Sequence, residues 1–453
     1  MQRLLASLLL FCATAFAQYT DLSAIHDLGG PQEFANRRAA LCKTVGDKGT
    51  IVLFARITLP ESNHYREDND FFYYTGLREP GAIMVLDSAT CKPTIFQPQY
   101  SARMIQVLGP TILSRSNEER AQLGYSTVLP VTEVDNVLTR TVGRDPQLWV
   151  RLGFPDKADG ARGETGTDNA RHYSNPYGSE EPTDLVAVNK LRVRYPMAQL
   201  HDLTPLMDAQ RNIKTAAEQA WIRKVGKLGA DGIKRAISIA KPGIMQYQVE
   251  AEASYVYAKN GAEGWAYPAI VGSGRTANTW HYFSNRDKIN PGEVVVFDFS
   301  PDAHQMTMDI TRTFPIDGKF TPEQAKWYQC DLDSQKATIE MLRPGNTYEQ
   351  AAEAGYKAFE KCGVADQYPG GKESPHISGH WVGLATHDVG PPMRGPIKPG
   401  QVLTVEPIIE FPDKHIHFRV EDTILITENG NEVLSSAVPK EMAEIEKLVN
   451  SAK

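Results

Sequence analysis

Four carboxylates and one histidine stand out by their settings. In "VVVFDFSPDAHQMTMDITRTF", Asp298 ends one apolar run and Asp309, eleven residues on, precedes another. "PDAHQ" between them reads as a turn, so the two aspartates are expected roughly opposite each other on one face of a hairpin. Carboxylates that close repel unless a proton or cation sits between them. Glu406 ends the apolar strand of "GQVLTVEP", and Glu421 lies inside "HIHFRVEDTILITENG". Period two there puts His415, His417, Arg419 and Glu421 on one face, which either meets water or lines a site. "SPHISGHWVGLATHD" holds His376, His380 and His387. Taken singly, each stretch has a plain alternative: a surface aspartate, a solvent-facing glutamate, a polar loop. Taken together, one imidazole and four carboxylates suit hard or borderline divalent ions better than a thiolate-rich structural zinc site. One dication would leave them overcharged. Two balance them, as in two-metal hydrolases with ions about 3.5–4 Å apart.

The elements that must position these groups fall into two regions. Up to about residue 207, "GTIVLFA", "GAIMVLD" and "PTIFQP" read as strands and "SNEERAQLG" as a short helix, an α/β domain. Residues 156–182 are rich in Gly, Asp, Glu, Ser and Asn and read as a long exposed loop. From Ile213 to Ala240, apolar residues Ile222, Val225, Leu228, Ile233 and Ala236 recur at helical spacing. Further helices are expected near 246–260, 322–342, 348–362 and 440–451, with strands and loops between them. The second region is therefore α+β, helices on an antiparallel sheet.

Composition narrows the function. The net charge is −7 with no basic block, against nucleic acid or an anionic membrane surface as partner. Residues 1–17, "MQRLLASLLLFCATAFA", have a basic start, an apolar run and a small-x-small end. They read as a secretory signal, too short for a comfortable span; an N-terminal anchor is the alternative. The expected location is secreted or periplasmic. Cys42, Cys91, Cys330 and Cys362 would remain, allowing three pairings or buried free thiols. Export and the even count favour Cys42–Cys91 and Cys330–Cys362, each within one domain.

With these residues in view, the chain resembles the pita-bread metallopeptidases, whose ligands run Asp, Asp, His, Glu, Glu. "HWVGLATHD", "RVEDTILITENG", "YPAIVGSGRTANTWHY" with His281, and "DFFYYTGLREPGAIMVLD" are similar to the proline-peptidase branch, Xaa-Pro aminopeptidase and Xaa-Pro dipeptidase. The resemblance implies an N-terminal α/β domain over residues 18–207 and a pita-bread catalytic domain over 208–453. It implies Asp298, Asp309, His380, Glu406 and Glu421 as ligands of two divalent ions, manganese first, with cobalt or zinc satisfying the same donors. Water between the ions would be the nucleophile and Glu406 the proton shuttle. His281 and His387 would donate to the substrate carbonyl, with His376 in the same pocket. Arg419 would pair with Glu421 or Asp309, and Trp280 and Tyr282 would help line a proline pocket. Substrates would be peptides with proline second, and the protein a homo-oligomer. An Xaa-Pro dipeptidase is the alternative, and a non-catalytic binding protein on the same fold a further one. One departure is that Glu406-Pro407 runs into Ile408, where the family commonly has Gly and then Tyr.

Overall fold

The computed structural model describes residues 20, 22–57, 65–177 and 183–452. The proposed signal, residues 1–17, lies outside them. The first region is a six-stranded mixed sheet. Its centre is Thr50–Phe54, antiparallel to Ile83–Asp87 and parallel to Gln147–Val150. Pro93–Gln97 and Val128–Pro130 extend one side, and Gln199–Asp202 closes the other. Helices Pro31–Val45 and Asn69–Thr75 cover one face with Phe34, Leu41, Phe71 and Phe72, all buried. The helix Asn117–Gln122 forms where expected, started by a Ser116/Glu119 capping box.

The helix Thr204–Asn212 leads into the second region. There Ala216–Ile239 begins at a Thr215/Glu218 capping box and buries Ile222, Val225, Ile233 and Ala236. The period-3.6 stripe thus reads out as the core side. Gln246–Lys259, Pro322–Met341, Tyr348–Cys362 and Met442–Val449 follow. They enclose short antiparallel sheets rather than one continuous sheet. Ile270–Ser273, Val294–Asp298 and Thr311–Pro315 make the first. Val402–Val405, Asp422–Thr427 and Gly430–Val433 make the second. Ile408–Phe411 pairs with Ile416–Arg419. Disulfides join Cys42 to Cys91 and Cys330 to Cys362, each inside one region.

Residues 156–177 are not the exposed loop the composition suggests. Asp156 is buried, and Arg162–Ser174 is a helix. Composition misleads here because this helix is held by charge instead of apolar side chains. Arg162 donates to Asp70 and Asp208, and Arg211 to Asp156. Residues 178–182 lie outside the described part.

Candidate metal centre

Strand register brings the acidic groups together. Asp298 pairs with Thr311, so Asp309 sits diagonally two positions on instead of directly opposite, still on the same face. Val405 pairs with Asp422, which leaves Glu406 and Glu421 facing each other one step past that ladder. The Glu421 backbone N–H donates to Thr311 O at 3.1 Å, and Thr311 Oγ1 donates to Glu421 Oε2 at 2.7 Å. These bonds join the ends of the two sheets. His380 lies in an irregular stretch beside Val402–Val405, fixed by backbone bonding to Thr404. Its Nδ1 is 3.1 Å from Trp381 O. Nε2 is then the nitrogen offered inward, 3.3 Å from Asp309 Oδ2 and 3.4 Å from Glu406 Oε1.

Donor atoms of Asp298, Asp309 and Glu421 lie within 4.8 Å of one another, as do those of His380, Glu406 and Glu421. Burial and the neighbouring Asp309 push the Asp298 carboxyl up to about 8. The same causes hold Glu421 well above the carboxylate range. Burial lowers the His380 imidazole, but bonding to Asp309 and the charge of Glu406 outweigh it and raise it to about 9. Among the described residues, Glu421 Oε1 is buried without a hydrogen-bond partner. Crowded carboxylates with an orphaned oxygen call for a proton or a cation between them, and the donor set fits divalent ions.

Two neighbours hold the aspartates. The Tyr267 hydroxyl lies 2.5 Å from Asp298 Oδ1 and 2.6 Å from Asp309 Oδ1, where its single proton serves one or the other. Tyr267 shares the "YPAIVGSGRTANTWHY" motif with His281, and nothing in the sequence separates this tyrosine from a core one. Arg419 bonds Asp298 Oδ2 at 2.6 Å rather than Glu421 or Asp309, because its Nε is taken up by Thr311 Oγ1 at 3.1 Å. His417, Arg419 and Glu421 are buried. His415 instead ends a turn at φ 53, outside the strand. His417 lies 3.6 Å from Glu410.

A cavity of about 580 Å3 opens on the aspartates, lined by Ile270, His281, Phe283, Glu164 and His387 among others. His387 has its ring 4.0 Å from that of His380. Phe283 stacks on His281 and takes the place expected for Trp280, whose Nε1 donates to Glu410 at 3.2 Å. His376 is brought elsewhere. It lines a separate cavity with Tyr348, Glu349 and Arg394, because the turn after Gly370 carries it outward.

Residues 220–428 match the model of metallopeptidase family M24, and 34–149 match the aminopeptidase P N-terminal domain. The chain is 29% identical to an Xaa-Pro aminopeptidase of Escherichia coli, over 93% of this chain and 98% of that one. It is a metallopeptidase of family M24. Its fold, a pita-bread catalytic domain behind an N-terminal α/β domain, is shared with solved structures. Aminopeptidase P from E. coli with the inhibitor Pro-Leu superposes with a TM-score of 0.79 at 27% identity, covering 93% of this chain and 98% of that one. A zinc-substituted form of that enzyme with product gives 0.77 at 26%, covering 93% and 99%. This M24 chain is thus a metallo-aminopeptidase of the proline-peptidase branch, dependent on divalent metal. Among the described residues no helix is long and apolar enough to cross a membrane.

Proposed function

We propose that this chain removes one residue from the N-terminus of peptides whose second residue is proline, with two divalent ions held by Asp298, Asp309, His380, Glu406 and Glu421. The carrying observation is their convergence around the unpartnered Glu421 Oε1, beside a cavity that Asp298, Asp309, His281 and His387 line. When bound, the ions supply Lewis acidity and lower the pKa of water towards neutrality. Glu421 belongs to both donor groups, and Asp309 lies 3.3 Å from His380, so these two carboxylates would help hold the ions from the centre of the set. Asp298, His380 and Glu406 would complete the donor set around them. Glu406, at the rim of the group, takes the proton from the attacking water and passes it to the departing amine, help worth about 10²–10⁴ in rate. His281 and His387 face the substrate carbonyl and donate to its oxygen as negative charge develops. Arg419 and Tyr267 hold Asp298 in place. Phe283, Pro268 and Ile270 give the cavity an apolar wall for a proline ring. Such a ring contact is worth roughly 1–3 kcal/mol of discrimination.

The test compares metal-loaded protein on Ala-Pro-Ala and Ala-Ala-Ala. Cleavage of the first at least about 10-fold faster is expected; equal rates would remove the proline assignment and leave the hydrolase. Manganese is the first ion to load, and elemental analysis should find two ions per chain. A dipeptidase is the second reading, favoured by Lys157 and Arg171 in the same cavity, cations able to bind a C-terminal carboxylate. Ala-Pro preferred over Ala-Pro-Ala would select it. Export is part of the proposal too, since two disulfides suit an oxidising compartment. A mature protein starting at Gln18 would support it.

A further inference from the structure

The segment 156–164 carries the N-terminal domain to the catalytic cavity, where one of its carboxylates touches a histidine. Glu164 Oε1 lies 2.6 Å from His387 Nδ1. The other oxygen, Oε2, accepts from the Ala161 backbone N–H at 2.7 Å, so the first turn of its own helix fixes the carboxylate. That helix start is itself anchored: Arg162 donates to Asp70, Asp208 and Phe154 O. The residues flanking His387 are tied to the same segment. Thr386 N–H donates to Ala158 O at 2.7 Å. Asp388 accepts from Arg211 at 2.6 Å, and Arg211 also holds Asp156 at 2.6 Å. Thr386 and His387 are thus tied directly to segment 156–164, and Asp388 is linked to it through Arg211. With Nδ1 engaged by Glu164, Nε2 is the nitrogen left for the cavity.

We infer that Glu164 is a positioning residue for the reaction: its carboxylate fixes the plane of the His387 ring so that Nε2 meets the substrate carbonyl. This rests on the proposed role of His387. A hydrogen-bonded carboxylate sets both the tautomer and the orientation of an imidazole. Losing such a partner typically costs about 10–100-fold in activity. Glu164 is half exposed on its side chain, so its removal leaves no buried charge behind.

The test takes wild type, Glu164→Ala, Glu164→Gln, His387→Ala and the Glu164→Ala/His387→Ala pair, with kcat and KM on Ala-Pro-Ala, metal content and Tm for each. Glu164→Ala should lower kcat about 10–100-fold, with KM, metal content and Tm near wild type. Glu164→Gln, whose amide oxygen still accepts from Nδ1–H, should recover most of the rate. In the His387→Ala background, Glu164→Ala should add nothing. In zinc-loaded protein with isotope-labelled histidine, the downfield Nδ1–H signal of His387 should vanish in Glu164→Ala and persist in Glu164→Gln. A wild-type kcat in Glu164→Ala overturns the inference, as do losses that multiply in the double variant. A loss that Glu164→Gln does not relieve, accompanied by a lowered Tm, assigns the residue to folding and also overturns it. Wild-type turnover in His387→Ala would bring down the histidine's role first, a result distinct from silence at Glu164 alone.

Discussion

Replacing Arg211 with methionine probes how the two domains hold the site. Arg211 is 1% exposed and sits among three carboxylates, bonded to Asp70 at 2.8 Å, Asp156 at 2.6 Å and Asp388 at 2.6 Å. Methionine keeps much of the volume and removes the charge. Breaking a buried ion pair from one side costs about 3–5 kcal/mol, because the partner charges stay buried. Here other cations remain. Arg151 and Arg162 still bond Asp70, Arg162 lies 3.5 Å from Asp156, and Lys214 reaches Asp388 at 3.0 Å. The cost should therefore sit near the lower bound, about 3 kcal/mol, or roughly 5 °C in Tm. Asp388 loses one of its two anchors next to His387. A displacement of about 1 Å at a substrate-side group can cost ~10²-fold, so kcat per folded molecule should fall on the order of 10–100-fold. Calorimetry and active-site-normalised kinetics would measure both. An unchanged Tm would refute the claim that this network joins the domains. A lowered Tm with full turnover would refute its link to His387.

Tyr267→Phe keeps the packing but removes the hydroxyl that bridges the two aspartates, and metal affinity should drop by about 10-fold with Tm nearly unchanged, read by titrating metal-free protein with manganese. Asp298→Asn should lower the metal bound per chain and abolish turnover; elemental analysis showing wild-type content would contradict the assigned ligand set. Acid should weaken the domain junction: burial raises the Asp156 carboxyl, but Arg211 and Arg162 outweigh it and hold it at about 2. A carboxyl lowered on folding adds stability above its unfolded value near 4, and that stability is lost as pH falls towards 2. The amount is about 2 kcal/mol, and a Tm that stays flat between those pH values would argue against it.

The sequence alone singled out Asp298, Asp309, His380, Glu406 and Glu421, which the fold brings together, and most of the elements around them. Asp298 ends a strand and Glu406 and Glu421 stand one residue outside strands whose apolar period is plain, and a local pattern suffices to place such residues beside a sheet face. The helices of 216–239 and 348–362 were equally legible, since a packed amphipathic helix writes its core side at a fixed spacing. Register was decided only by the tertiary structure, because a diagonal and a direct pair share the same alternation. Long-range polar partners were decided there too. Arg419 chooses Asp298 over Glu421, and Tyr267 spans two aspartates, through distances that no local pattern encodes. The helix of 162–174 shows why most clearly: its anchors are Asp70, Asp208 and, through Asp156, Arg211, residues scattered along the chain. Apolar burial repeats with the period of the element and can be read locally. A buried ion pair joins residues of any separation, so it exists as a signal only once the chain has folded.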